Sequence, residues 1–455
     1  MRERLSRHLA ETGLIPEGSR VLLGYSGGAD STCLLHLLAE LGIDVVAAHL
    51  HHGMRPEADR EQKLCEATAE SLGVPFATGR ADVPRLAADR KIGLEEAGRE
   101  ARYGFFRQAA SRLDCTLIAT AHTRDDQVET VLFRIARGTG LAGLAGIPQS
   151  RDGVVRPLLP FSRAETRAFC DERGLWFHDD PANLDRANAR VRVRLDVVPA
   201  LREINSGADA AIVRLAAMAE EEDRFLDGAA AAALERAEVR LNGELAFLTQ
   251  DVELAFDRRT LEHLPAVLLR RAVRLAAGAL GAELDFDGAS SVLRGEKGSL
   301  TAEGGEIVLE WDSEMLHGRV LRPTVPFRYP LTLPGETESE EFGWRLVAYP
   351  VEASPEPPKR AALAVEIDRS VARGGLHFRG LAPGDTMRPL GFNGTRKLSD
   401  LLSEAGLTPA ARARLPIVCD MVGPLWAPGV CLDERARPKG GPVIALKFEG
   451  LGAKD

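Results

Sequence analysis

The sequence predicts an α/β domain built on a parallel sheet, followed by a helical domain and a small α+β domain. Three observations carry this reading. From Arg20 to about Leu201, short apolar runs alternate with amphipathic stretches, the pattern of strands joined by crossover helices. Between about Ala208 and Ala282 the composition shifts to Ala, Leu, Arg and Glu without strand-like runs. From about His377 to Phe448, glycine, proline and β-rich segments surround one helical stretch, Lys397 to Ala405. The boundaries expected are 1–207, 208–322, a β segment and linker over 323–376, and 377–455.

Strands of the first domain are expected at Val21–Gly24, Val45–His49, Pro75–Ala77 and Leu117–Ala121. Directly after the first comes Ser26-Gly27-Gly28-Ala29-Asp30-Ser31, and then the helical stretch Thr32 to Leu38. A glycine-rich turn between strand and helix gathers backbone N–H groups and the positive helix end around one concavity, which suits an anion. The two glycines let a phosphate approach closely, while Ser26, Ser31 and Thr32 add hydroxyl donors. Asp30 would repel a phosphate unless Mg²⁺ lay between them, so it points to a metal-bridged nucleotide. The Walker spacing and its lysine are absent.

At 455 residues the chain suits about three domains, and its 45% hydrophobic and 27% charged content is that of a soluble globular protein. No apolar run approaches the ~18 residues of a membrane span, and Met1-Arg2-Glu3-Arg4 lacks the apolar core of a signal peptide, so a cytoplasmic protein is expected. Six cysteines lie far apart with no Cys-x-x-Cys pair, which argues against a zinc site or a redox dithiol. A net charge of -9 argues against general coating of nucleic acid.

A second block, Ala121-His122-Thr123-Arg124-Asp125-Asp126-Gln127-Val128-Glu129-Thr130, starts where a strand ends and continues as a helix. Asp125, Asp126 and Glu129 then crowd one helix start at the edge that holds the glycine turn, where Mg²⁺ or an incoming amine needs carboxylates. The same residues also suit ordinary helix capping. Gly138 to Pro148 is a glycine repeat that also reads as a plain loop. Arg156-Pro157-Leu158-Leu159 leads to His178–Asn183 and then to a cationic stripe, with five arginines against the single acid Asp196 between Arg186 and Arg202. Arg190, Arg192 and Arg194 share a face if extended and spread if helical, and can contact phosphates or pair with neighbouring acids. His49 and His52 either line the nucleotide pocket or pack beneath it. From Arg379 to Asp455, eleven Lys and Arg stand against eight acids.

The Ser-Gly-Gly-x-Asp-Ser hexamer resembles the loop of the PP-loop ATP pyrophosphatases, which split ATP between the α and β phosphates. Together with Ala-His-x-x-Asp-Asp-x-x-Glu-Thr, Gly-x-x-Gly-Leu-x-Gly-Ile, Arg-Pro-Leu-Leu, Asp-x-x-Asn and the arginines that follow, it is similar to the tRNA(Ile)-lysidine synthetase family. Leu94 to Tyr103 and segments between Arg379 and Gly429 extend the resemblance. It implies an adenine nucleotide alpha hydrolase-like fold, ATP and Mg²⁺ as cofactors, and free L-lysine and an isoleucine tRNA as partners. The implied activity is ligation of lysine to the wobble cytidine through an adenylated base. Carried onto this chain, Ser26, Gly27, Gly28, Ala29, Asp30, Ser31 and His49 would hold ATP, and Asp30 and Asp126 the metal. Asp30, Asp125, Asp126 and Glu129 would act in catalysis. Arg99, Arg102, Asp180, Asn183, Arg190, Arg192, Arg194, Lys397 and Arg412 would meet the RNA or substrate. Two departures stand out: Arg190-Val191-Arg192-Val193-Arg194 where the family has Arg-Asn-x-Ile-Arg, and Ala182 where a serine is common. A PP-loop tRNA thiolase and a non-catalytic ATP- or tRNA-binding protein are the alternatives, and a homodimer is left open.

Overall fold

Val21, Leu22 and Leu23 are apolar on both faces of a strand, which belongs inside a parallel sheet covered on both sides. All three are fully buried. In the computed structural model, which describes residues 1–51, 58–179, 185–294, 297–302, 305–322, 325–354 and 357–451, this strand lies inside a six-stranded sheet. The chain divides into two compact units, Met1–Arg224 and Phe225–Asp455.

The first unit runs α1 (Arg2–Thr12), β1 (Arg20–Gly24), α2 (Ala29–Glu40), β2 (Asp44–His51), α3 (Ala58–Ser71), β3 (Phe76–Arg80), α4 (Val83–Arg90), α5 (Leu94–Arg112) and β4 (Leu117–Ala119). It continues through α6 (Arg124–Ala136), α7 (Leu141–Leu144), β5 (Ser150–Arg151), β6 (Val154–Val155), α8 (Arg163–Glu172), α9 (Ala189–Arg192), a π-helical turn over Val193–Val197, and α10 (Val198–Ile204). Strand order is β3-β2-β1-β4-β6-β5, parallel except for β5. Leu22 pairs with Val46 on one side and Ile118 on the other. The chain leaves β1 toward β2 and β3, then returns to β4 on its other side. The crevice outside the carboxyl ends of β1 and β4 is therefore the switch point at which such sheets bind ligands. One face packs Leu5, Leu34, Leu37 and Phe161, and the other packs Phe106, Ala109 and Ala110. The four expected strands are all present.

Helix α11 (Ala208–Ala237) follows, and then β7 (Glu253–Asp257), α12 (Arg258–Glu262), α13 (Ala266–Ala279), α14 (Phe286–Arg294), β8 (Gly298–Thr301), β9 (Ile307–Trp311) and β10 (Met315–Val320). The helix-rich composition hid a four-stranded antiparallel sheet, β7-β10-β9-β8. Its edge strand Gly298-Ser-Leu-Thr is too short and half-exposed to announce itself by periodicity.

The remainder comprises β11 (Arg328–Pro330), β12 (Gly335–Ser339), β13 (Trp344–Val351), β14 (Ala364–Asp368), β15 (His377–Arg379), β16 (Thr386–Met387), β17 (Arg396–Lys397), α15 (Leu398–Glu404), α16 (Pro409–Arg414), β18 (Ile417–Cys419), β19 (Pro424–Ala427), β20 (Cys431–Leu432) and β21 (Val443–Gly450). Residues 323–376, expected as a β segment and linker, supply four strands to two sheets, β11-β15-β18-β19-β20 and β12-β13-β21-β14. Strand β21 lies between β13 and β14, so this stretch and the last strand share one sheet. Trp344, Phe378, Trp426 and Phe448 are buried in one core. Among the described residues, no helix is long and apolar enough to cross a membrane.

Two glycines separate space from propensity. A Cβ on Gly24 would lie 2.6 Å from the Phe106 ring, whereas one on Gly104 in α5 would meet nothing within 4 Å. Gly24→Ala is expected to cost about 1–3 kcal/mol, and Gly104→Ala to add about 0.5–1 kcal/mol. Urea unfolding of both variants checks this, and equal effects would refute the packing argument.

Candidate active site

The glycine turn is built for an anion by what it lacks. Gly28 is the N-cap of α2 and makes no side-chain capping bond, so the first N–H groups of the helix keep their donors. Gly27 adopts φ +82°, and a Cβ there would sit 2.8 Å from Cys65 Sγ. The Gly27 carbonyl accepts from His178 N at 2.9 Å, which holds the turn open from behind. Ser26 and Ser31 hydroxyls lie 3.1 Å apart, and Ser31 Oγ donates to Gly28 O at 3.0 Å. His49 is buried below the turn, with Nδ1 3.0 Å from Tyr25 O and its ring stacked on Phe76. His52, Asp180 and Asn183 lie outside the described residues.

The acidic block occupies the start of α6, at the carboxyl edge beside β4. Asp126 caps its own helix, since its Oδ2 accepts from Thr123 N at 2.7 Å and Thr123 Oγ1 at 2.9 Å. Its Oδ1 faces inward and accepts from Arg163 Nη2 at 2.7 Å. Glu129 is 3% exposed, so its charge demands compensation. Its Oε1 accepts from Arg163 Nη1 at 3.0 Å and Arg194 Nε at 2.7 Å, and its Oε2 from Arg194 Nη2 at 3.0 Å. Asp125 turns the other way, to Arg163 N at 2.8 Å and Arg202 Nη2 at 3.2 Å.

Arg163 joins this block to the glycine turn. Its Nε stands 3.8 Å from Asp30 Oδ2, and Thr166 Oγ1, one turn further along α8, donates to Asp30 Oδ1. Burial, with added repulsion from Asp126 and Asp125, pushes the Asp30 carboxyl up to about 6, against the lowering effect of the Thr166 bond and Arg163. Asp126 is held below its ordinary value despite burial, by Arg163 foremost, then His122 and the Thr123 bonds. His122 is pushed down to about 4 by burial, with Arg156, Arg190 and Arg99 opposing its protonation, and its Nδ1 lies 2.9 Å from Thr120 Oγ1.

The arginine stripe is helical, so its side chains spread. Arg190 Nη2 donates to Thr130 Oγ1 at 2.8 Å, Arg194 pairs with Glu129, and Arg192 is exposed. Arg99 and Arg102 are exposed on the amino-terminal half of α5, with Arg99 5.2 Å above the Tyr103 ring. Lys397 and Arg412 belong to the second unit; Lys397 is exposed and Arg412 Nε donates to Leu407 O at 2.7 Å. Most of the basic excess of residues 379–455 is spent on acids of the protein itself, as in Arg379–Asp385, Arg414–Asp251 and Arg435–Asp420. Sequence reasoning missed Arg163 and Thr166. The capping box Ser162-x-x-Glu165, with Ser162 N donating to Glu165 at 2.7 Å, is the signal that places a helix start at Arg163.

A tRNA(Ile)-lysidine synthase from Symbiobacterium thermophilum is 33% identical over 98% of this chain and 96% of its own length. The chain belongs to the tRNA(Ile)-lysidine synthase family. A second tRNA(Ile)-lysidine synthase, from Geobacter sulfurreducens, is 33% identical over 94% of this chain and 92% of its own length. The family model for a PP-loop domain matches residues 1–201, and that for a TilS substrate C-terminal domain matches 376–444. A crystal structure of a TilS C-terminal domain is 23% identical, with a TM-score of 0.26, covering 28% of this chain and all of that one. Residues 1–201 of the first unit are thus an ATP-binding PP-loop domain.

Removing Arg163 takes from the half-buried Asp126 its cation and from the buried Glu129 one of its two. Arg163→Leu is expected to cost about 3 kcal/mol of stability. Adding Asp126→Asn, which keeps a cap acceptor, is expected to restore at least about 1 kcal/mol of it in a double-mutant cycle. Strict additivity in urea unfolding would contradict the pairing.

Proposed function

We propose that the chain ligates free L-lysine to the wobble cytidine of an AUA-decoding isoleucine tRNA, consuming ATP and releasing pyrophosphate and AMP. One observation carries this reading: a single guanidinium, Arg163, bonds Asp126 and Glu129 of α6 while its Nε stands 3.8 Å from Asp30 of the glycine turn. Nucleotide site and cation site are one site.

A cytosine carbonyl is a poor electrophile, and its oxygen a poor leaving group, so the base must be activated before an amine can replace that oxygen. The cytosine oxygen attacks the α-phosphorus of ATP; the bond to the β-phosphate oxygen breaks and pyrophosphate leaves. The lysine ε-amine then attacks the same ring carbon, the carbon–oxygen bond breaks, AMP leaves and the amine sheds a proton. The Ser26–Ser31 turn with the open end of α2 holds the pyrophosphate portion, as donors placed where charge develops. Asp126, held below its ordinary value by Arg163, and Glu129, paired with Arg163 and Arg194, receive the ε-ammonium and orient it, and Asp125 fixes the start of α8 through Arg163 N. Cytoplasmic placement follows from substrates of this kind.

Mg²⁺ fits the donor set. Asp30 Oδ2 is beyond hydrogen-bond distance of its nearest cation, and its carboxyl is raised by burial first and then by the negative charge of Asp126 and Asp125. Asp30 and Asp126 would hold the ion together with oxygens of the nucleotide, the hard donors that Mg²⁺ prefers. When bound, the ion neutralises charge that shifts onto pyrophosphate. The thiolase alternative needs cysteines that carry sulfur, and Cys33, Cys65 and Cys170 are buried thiols whose ionisation burial opposes.

Incubating the protein with radiolabelled lysine, ATP and unmodified isoleucine tRNA should place label in the RNA; unlabelled RNA, or ADP and phosphate as products, would sink the proposal. Asp30→Ala should leave the melting temperature within a few degrees yet abolish AMP formation. Gly27→Ala, which strains φ and crowds Cys65, should raise the KM for ATP at least about tenfold, and an unchanged KM would remove the turn from the nucleotide site.

A further inference from the structure

The arginines around α6 fall into two sets. Arg163, Arg194 and Arg202 are each bridged to acids of the site. Six others, Arg99, Arg102, Arg134, Arg151, Arg156 and Arg190, lie within electrostatic reach of one another, several of them also of His122 or Tyr103, and among the described residues only Arg190 has a carboxylate within salt-bridge reach, Glu95 at 3.7 Å.

The structure holds this second set in place without neutralising it. Arg134 Nη1 donates to Gly143 O at 3.0 Å and Gly146 O at 2.7 Å. Arg156 is 7% exposed, donates Nη1 to Pro148 O at 2.8 Å, and has a buried Nε with no partner. Carbonyls orient a guanidinium but do not cancel its charge, and a buried cation without an anion is costly. The cations also repel one another: burial and then Arg151, Arg190 and Arg99 hold Arg134 below its ordinary value, and Arg99 and Arg151 act likewise on Arg156. Arg156 directly follows β6, His122 closely follows β4, and Arg99 lies in the amino-terminal half of α5. The set therefore lies at the carboxyl edge and meets the acid site where Arg190 bonds Thr130 beside Glu129.

We infer that this arginine basin receives the sugar-phosphate backbone of the RNA next to the nucleotide whose base enters the acid site. Six cations exceed what one small carboxylate calls for, and in a chain of net charge -9 they mark a local polyanion site. The Arg99–Tyr103 stack adds an aromatic and guanidinium surface suited to an unpaired base. This inference rests on the RNA-ligation reading above.

The test uses the full chain without ATP or lysine, measuring binding of the unmodified isoleucine tRNA by filter retention between about 50 and 200 mM salt. Arg99 and Arg151 are exposed, so Arg99→Gln/Arg151→Gln should fold, which its melting temperature checks. Binding should weaken about tenfold or more, and the slope of log affinity against log salt should fall by about 1.5–2, while Arg99→Lys/Arg151→Lys keeps the slope. Wild-type affinity and slope in the glutamine pair would overturn the inference. So would unchanged RNA binding with a lysine KM raised tenfold, which would make the occupant the carboxylate of the amino acid. Should the pair fail to fold, Arg99→Gln alone should remove about half of that slope change. Because binding needs no turnover, RNA affinity that depends on these arginines in a chain that makes no lysidine would keep the basin and discard the reaction.

Discussion

A buried carboxylate persists only beside a positive charge, and the acid site of this protein is organised by that requirement. Glu129 is almost fully enclosed and draws in Arg163 from α8 and Arg194 from the π-helical turn. These two arginines bring chain that lies 34 and 65 residues downstream of Glu129 back onto α6. Once Arg163 is there, Thr166 falls one turn further along α8, against Asp30 of α2, and the phosphate turn is tied to the acids. A site for two reactants emerges from one charge that could not be left alone.

That arrangement explains which parts were legible in the sequence. The phosphate turn and the acidic block are local: a strand end, two glycines, a capping threonine and a first helical turn state their geometry within ten residues. Arg163 is a long-range partner, and nothing in its own neighbourhood says which carboxylate it will meet. The arginine stripe was ambiguous for a related reason. Its period of two resembles a strand, but the chain winds there as a helix running into a π turn, so Arg190 and Arg194 face α6 and Arg192 faces water. Side-chain direction follows secondary structure, which charge spacing alone does not fix. The basic excess of residues 379–455 shows the opposite error of counting: its total is real, yet most of it is matched by acids a few residues away or across the sheet.

In the second unit, buried polar side chains likewise tie distant segments together. Glu253 and Asn242 are buried, and both reach the start of α16: Thr408 Oγ1 donates to Glu253 at 2.6 Å and Thr408 N to Asn242 Oδ1 at 2.8 Å. Arg414, at the other end of α16, donates to Leu248 O at 2.9 Å and lies over the Phe342 ring. A six-residue helix is too short to be stable alone, so these contacts define it. The antiparallel strands nearby are short, and their half-exposed alternation mixes Pro, Glu and Gly with apolar residues, which is why a linker and a sheet look alike on paper.

Strand β21 carries a kinetic consequence. Its partners β13 and β14 are complete by Asp368, but Val443, the first residue of β21, comes about 90 residues after Val351, with which it pairs. At ribosomal speeds of roughly 5–20 residues per second, that gap lasts on the order of 5–20 s, during which two strand edges wait with unpaired N–H and C=O groups. The parallel sheet of the first unit needs nothing from that late stretch. Newly made chains should therefore pass through a state with a finished nucleotide domain and a sticky, half-built second unit, and it is there that chaperones and crowding decide yield.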